Sequence, residues 1–244
     1  MKKLYVIGIG PGKSDYMTQA AHSALSRCEL ICGYTVYIDL IKNGYPNKQF
    51  YSTAMTQETE RCEYALSKAN EGITAAIVCS GDAAVYGMAG LVYQLAQKYA
   101  EVEIEMVAGI TAALSGGAVL GAPLTNDFAV VSLSDLLTDW QLIERRIAAA
   151  AMADFVICLY NPSSKKRSDY LQKACDIVLQ YRSEKTICGY VKNIGRDGEQ
   201  SGIITLSQLR CFSADMFTTI FIGSTATQII NGKMVTARGY ENKP

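Results

Sequence analysis

The sequence predicts an α/β fold in two domains, and three features predict it. Short apolar runs alternate with amphipathic stretches along the chain, as parallel βαβ units require. Several of those runs stop at loops rich in Gly, Ser, Thr and Asn. The segment GAPLTNDF at 121–128, with Pro123 to break a helix, interrupts the alternation and reads as a joint. The expectation is a first domain over 1–122 with a mainly parallel sheet, and a second over 123–244. The last strands of the second domain lie close together in sequence, so its sheet is expected to be mixed.

The elements follow in order. Residues 4–9 are an apolar run ending in glycines, a buried parallel strand. Ser14 is placed to cap a helix carrying Met17, Ala20, Ala21, Ala24, Leu25 and Cys28 at helical spacing. His22 falls off that stripe and reads as a solvated side chain. Residues 30–32 form a second strand. An amphipathic helix opens at Thr56 and runs to about Asn70, with Glu58 and Glu60 suited to its positive start. Strand 73–79, helix 85–99, strand 102–107 and a helix from about Thr111 complete the first half. The second half reads as strand 128–132, helix 139–152, strand 154–160, helix 165–181 and strand 186–191. Strands near 202–206 and 216–223 follow.

Composition narrows the function classes. Lys and Arg total 23 against 23 Asp and Glu, with 49% apolar and 19% charged residues, which are globular values. The balanced charge argues against a broad nucleic-acid surface. Eight cysteines and a single histidine contain no C-x-x-C pair, which argues against a structural zinc. Cys79, Cys158 and Cys188 sit inside apolar runs and read as small buried hydrophobes. Reduced thiols point to the cytosol. The apolar start is too short for a signal peptide, and 106–126 is broken by glycines and Pro123, so no membrane segment is expected.

The loop Gly8-Ile9-Gly10-Pro11-Gly12-Lys13-Ser14 lies between a strand and a helix. A dinucleotide fingerprint would need glycine where Lys13 stands, and an acidic residue where Gly33 and Tyr34 stand. A P-loop needs four residues between its glycines before Lys-Ser, and this loop is one short. It remains a backbone that a ligand can approach closely. Ser80-Gly81-Asp82, 108–112 and Tyr160-Asn161-Pro162-Ser163-Ser164 lie at other strand ends, where open α/β sheets bind ligands.

These segments, in this order, resemble the tetrapyrrole (corrin and porphyrin) methylases. The resemblance rests on the 8–12 loop, SGDAAVYGM at 80–88, GITAA at 109–113, GAPLTNDF, LYNPSS at 159–164, GRDGEQ at 195–200 and DMFTTIFIGS at 215–224. SLSDLL at 132–137, Trp140 and TARGY at 236–240 are similar to the branch that methylates carbon 17 of precorrin-3B. The resemblance implies two α/β domains, a homodimer, and a cleft between the domains for S-adenosylmethionine. It implies that Pro11, Ser80, Gly81, Asp82, Val85, Thr111, Ala112, Asn161 and Gly195 border that cofactor. The branch also contracts the ring, which moves protons. Asp127 and Ser134 are the candidates for that step, with Asp127 alternatively tying down the joint. Asn126 stands where the branch commonly carries His, and Asn cannot titrate.

The tetrapyrrole substrate carries acetates and propionates, which call for cations. Lys165, Arg167, Arg196 and Arg238 are the candidates, the first two alternatively a solvated helix start. No metal site, nucleic acid or membrane partner is expected. Two alternatives stay open: a methyltransferase of this fold acting on another precorrin or on RNA, and a non-catalytic tetrapyrrole-binding protein.

Overall fold

The strand Lys3–Gly8 (β1) explains why the first unit is layered. Leu4 and Val6 enter one buried cluster and Tyr5 and Ile7 another. A strand apolar on both faces has to be covered on both. The computed structural model, which describes residues 2–164 and 168–240, covers it with helices on each side. The chain continues through α1 (Gln19–Arg27), β2 (Leu30–Tyr34), α2 (Thr35–Ile41), β3 (Gln49–Thr53), α3 (Glu58–Asn70), β4 (Ala75–Cys79), α4 (Ala89–Ala96) and β5 (Glu103–Val107). These strands form an all-parallel sheet in the order β3-β2-β4-β1-β5. Ala21, Leu25 and Ile38 bring α1 and α2 to one face; Ala65, Leu66 and Val92 bring α3 and α4 to the other.

The neighbours β1 and β4 send their connections in opposite directions, β1 across β4 to β2 and β4 across β1 to β5. A crevice opens at the carboxyl ends of such a pair.

Several expectations are corrected here. Thr18, not Ser14, caps α1, its hydroxyl accepting from Ala21 N–H at 3.1 Å. Residues Ser14–Tyr16 instead make a short 3-10 turn, because the chain first has to leave a loop fixed at Gly10. His22 is not simply solvated: its Nδ1 lies 2.8 Å from the Tyr45 hydroxyl. Helix α4 begins at Ala89 and not at 85, since Tyr86 takes φ +55°, outside the helical region. The segments α2 and β3 went unread. The first carries β-branched residues that favour strands, and the second is a half-exposed edge strand without an apolar run.

The second unit comprises α5 (Ala112–Leu120), β6 (Gly121–Ala122), β7 (Phe128–Ser132), α6 (Trp140–Met152), β8 (Val156–Tyr160), α7 (Tyr170–Val178), β9 (Ile187–Lys192), β10 (Gln200–Thr205), α8 (Leu206–Arg210), β11 (Thr218–Ile222), β12 (Thr227–Ile230) and β13 (Lys233–Thr236). Its main sheet runs β10-β9-β11-β8-β7, with β7 and β8 parallel and the other pairs antiparallel, the mixed sheet expected. A small sheet joins β12, β13 and β6. Ile143, Ile147, Leu171 and Leu206 cover one face of the main sheet. Ala113 and Leu120 of α5, with Met234, cover the other.

The chain divides into Met1–Thr111 and Ala112–Pro244. The expected joint near 122 would leave α5 in the first unit, but α5 packs on the second sheet. It comes close because it presents glycine: a Cβ on Gly116 would lie 3.0 Å from both Ile194 Cδ1 and Phe221 Cζ. Arg182 secures the far end of α6. Its guanidinium donates to the carbonyls of Ala150 (3.3 Å), Phe155 (2.5 Å) and Gly223. Burial lowers its pKa, and these carbonyls replace the water it has lost.

Seven cysteines are buried and Cys211 is exposed; all are free thiols. Burial pushes Cys28, Cys32, Cys62, Cys158 and Cys175 up to about 12 and Cys79 to about 11. A thiol reagent at neutral pH should therefore label Cys211 quickly in the native protein, and the other seven only after denaturation. Replacing Gly116 by Val should cost about 1–3 kcal/mol by overpacking α5 on β11, read as a lower urea midpoint.

Candidate active site

The loops after β1 and β4 are joined through their backbones. Gly10 N–H donates to the Gly81 carbonyl at 3.1 Å, and Gly81 N–H to the Gly10 carbonyl at 2.7 Å. Gly10 takes φ +72° and Gly81 φ +66°, values at which a side chain is strained. Gly109, after β5, closes the group. A Cβ on Gly8 would lie 2.6 Å from the Gly81 oxygen and 2.7 Å from the Gly109 nitrogen. A Cβ on Gly109 would fall on the Gly81 oxygen. Three loops thus meet backbone to backbone.

Asp82 fixes this junction. Its Oδ1 accepts from Ala84 N–H at 2.8 Å and its Oδ2 from Gly109 N–H at 2.9 Å. The Thr18 hydroxyl adds a bond to the Ala108 carbonyl at 3.3 Å. Pro11, Ser80, Gly81, Asp82, Val85 and Thr111 therefore share the carboxyl edge of the first sheet. Pro11 and Gly81 are buried, and the other four are half-buried. With both oxygens on backbone N–H groups, Asp82 shapes this edge by holding its loops.

In the second unit the carboxyl ends of β7, β8 and β9 share one edge, because β8 and β9 both run antiparallel to β11 between them. Asn161 leaves β8 at φ +52°. Its Nδ2 donates to Ser132 Oγ at 2.9 Å, and that oxygen also accepts from Ser134 N–H at 3.2 Å. The Tyr160 hydroxyl accepts from Ala113 N–H at 2.6 Å, which brings the start of α5, and with it Ala112, to the same edge. Gly195, at φ +64°, turns the chain after β9, its N–H held by Glu199 Oε2 at 2.7 Å. The Arg196 guanidinium lies 5.7 Å from the Phe217 ring centroid. Ala112, Ser134, Asn161, Gly195 and Arg196 thus lie along this one edge.

Asp127 is not among them. It precedes β7 whereas Ser134 follows it, and five strand residues put about 17 Å between the strand ends. The exposed Asp127 accepts Val156 N–H through its carbonyl at 3.1 Å, adding a rung at the amino edge of the sheet. Asp127 and Ser134 therefore cannot serve one reacting atom. Asn126 accepts Asp127 N–H at 3.0 Å through its side chain. Arg238 is exposed beyond β13, where the Thr125 hydroxyl bonds the Thr236 carbonyl. Lys165 and Arg167 lie outside the described residues.

The sequence reading missed Ser132, Tyr160 and Glu199. All three stand inside or beside motifs it quoted, but they act on backbone N–H groups or on Asn161. The register that sets Ser132 beside Tyr160 joins segments with no fixed spacing. Among the described residues no group of three or more His, Cys, Asp or Glu side chains is placed to hold a metal, and no helix is long and apolar enough to cross a membrane.

Residues 3–210 match the family described as Tetrapyrrole (Corrin/Porphyrin) Methylases. The chain belongs to that family. It is 44% identical, over 97% of its length, to a probable cobalt-factor III C(17)-methyltransferase of Salmonella typhimurium, 99% of which is matched. It is 35% identical, over 93% of its length, to a precorrin-3B C(17)-methyltransferase of a Sinorhizobium species, 91% of which is matched. The crystal structure of the methyltransferase CobJ has the same fold, with a TM-score of 0.89 at 29% identity, covering 96% of this chain and 99% of that one.

Tetrapyrrole methylases use S-adenosylmethionine. The first sheet's edge fits such a ligand. It carries the polar Ser80 and Thr111, the apolar Val85 and closely packed loop backbone, the kinds of group that a nucleoside with an amino-acid tail calls for. Replacing Asp82 by Ala leaves the Ala84 and Gly109 N–H groups without their acceptor. The expected outcome is a loss of about 1–3 kcal/mol, with faster amide hydrogen exchange at both positions. Unchanged exchange at Gly109 would show that the carboxylate does not hold the junction.

Proposed function

We propose that this chain is an S-adenosylmethionine-dependent C-methyltransferase of cobalamin biosynthesis. It methylates carbon 17 of precorrin-3B or cobalt-factor III, with contraction of the ring; from precorrin-3B the product is precorrin-4, and reaching the cobalt form of precorrin-4 from cobalt-factor III takes two electrons from an external reductant. The observation that carries the reading is the end-to-end match, 44% identity over 97% of this chain and 99% of the relative. Identity of 44% with the cobalt-factor III relative against 35% with the precorrin-3B relative supports the cobalt-containing acceptor. A homodimer in the cytoplasm completes the proposal; eight free cysteines, seven of them buried, support a reducing compartment.

When bound, S-adenosylmethionine supplies an activated methyl: the acceptor carbon bonds to it while the carbon–sulfur electrons return to sulfur, leaving S-adenosylhomocysteine. The chain's own task is positioning and exclusion of water. Pro11, Ser80, Gly81, Val85, Thr111 and Ala112 hold the cofactor, on loops kept in place by Asp82. Asn161 and Gly195 contribute from the second unit. Arg196 and Arg238, with Lys165 and Arg167, offer cations to the acceptor's carboxylates. Ser134 is the group proposed for the proton movements of ring contraction, and Asp127 serves the strand end.

The test is an anaerobic incubation with S-adenosylmethionine, an external reductant and, separately, cobalt-factor III and metal-free precorrin-3B. One added methyl with the spectrum of a contracted ring is expected, faster with the cobalt form. Pigment binding without S-adenosylhomocysteine formation from either would overturn the catalytic reading in favour of a binding protein.

A further inference from the structure

The loop after β7 carries two neighbouring leucines into water. Leu136 is 73% exposed and Leu137 100%. Single exposed apolar side chains are ordinary on a protein surface. This pair stands on a loop that is anchored on both sides. Before it, Leu133 is buried in the core. Ser134 N–H bonds Ser132 Oγ at 3.2 Å, and Asp135 Oδ2 accepts the Tyr170 hydroxyl at 2.6 Å. After it, Asp139 caps α6 by accepting Gln141 N–H at 3.2 Å. Trp140 packs on Tyr170, with 4.3 Å between ring centroids, and donates to Glu144 at 2.7 Å. The loop that carries the leucines is thus held at both of its ends.

The position is informative. The loop leaves the same edge of the second sheet that carries Asn161, Gly195 and Arg196, and Ser132 ties it to Asn161 at 2.9 Å. A tetrapyrrole acceptor has flat apolar faces and a rim of carboxylates. An apolar pair and a guanidinium carried on one sheet edge, on the loops after β7 and β9, offer both kinds of contact.

We propose that Leu136 and Leu137 form an apolar contact for the face of the tetrapyrrole acceptor and set its affinity. The inference rests on the acceptor class proposed above. It makes the Leu-Leu pair a specificity element, separate from the loops that hold the methyl donor.

The test uses the full-length protein with Leu136→Ser/Leu137→Ser, the conservative Leu137→Met, and Met152→Ser as a control. Met152 is 70% exposed at the carboxyl end of α6, next to the amino end of β8. Two quantities are read: the KM of each substrate, and acceptor binding by absorbance titration without S-adenosylmethionine. The double variant should weaken acceptor binding and raise its KM about tenfold or more, with the KM for S-adenosylmethionine moving less than about twofold. Leu137→Met and Met152→Ser should match wild type in the titration. The contact is overturned if the double variant binds acceptor as wild type does, or if both KM values rise together. It is equally overturned if sedimentation shows a change of oligomeric state, since a second copy would then cover the pair. Wild type that turns over neither acceptor sinks the proposed function, while the titration still decides the contact.

Discussion

The first unit depends on one backbone junction. Gly8, Gly10, Gly81 and Gly109 let three loops meet with no side chain between them, and the Asp82 carboxylate locks two of the loops through the Ala84 and Gly109 N–H groups. Each of these bonds has an ionised acceptor, the stronger kind, so the glycines and the carboxylate form one device. Its place follows from topology. β1 and β4 send their connections in opposite directions, and the junction sits where that reversal leaves the sheet edge open.

The second unit reaches a comparable edge by different means. Side-chain oxygens do there what glycine backbones do in the first: Ser132 accepts from Asn161 and Ser134, Tyr160 from Ala113, and Glu199 from Gly195. Each bond fixes a loop or a helix start, so the groups proposed to meet substrate are held by neighbouring side chains. Antiparallel β11 between β8 and β9 is what aligns their carboxyl ends. A sheet of mixed direction therefore presents three of its loops together, as a parallel one would.

Much of the architecture was legible because buried strands declare themselves. β4 and β8 are continuous apolar runs, and β7 and β8 were read within two residues of their observed bounds. What failed to show was half-exposed or locally ambiguous: β3 at a sheet edge, α2 with its β-branched residues, and the hairpin of β12 and β13. The joint was read from Pro123. The division falls earlier because α5, short and glycine-containing, finds its partner surface in Phe221 and Ile194. Propensity near Pro123 carries no information about that surface.

The sequence by itself determined the strand–helix alternation, the strand-end loops and the family, since these rest on local pattern and on motifs in fixed order. It also placed most of the candidate site residues in those loops. Only the tertiary structure decided what the residues do there. Asp82 holds loops, Asp127 and Ser134 stand at opposite ends of one strand, and Tyr160 fixes the start of α5. The physical reason is that hydrogen-bond partners and strand ends are set by register between segments far apart in the chain. No spacing along a single segment encodes that register.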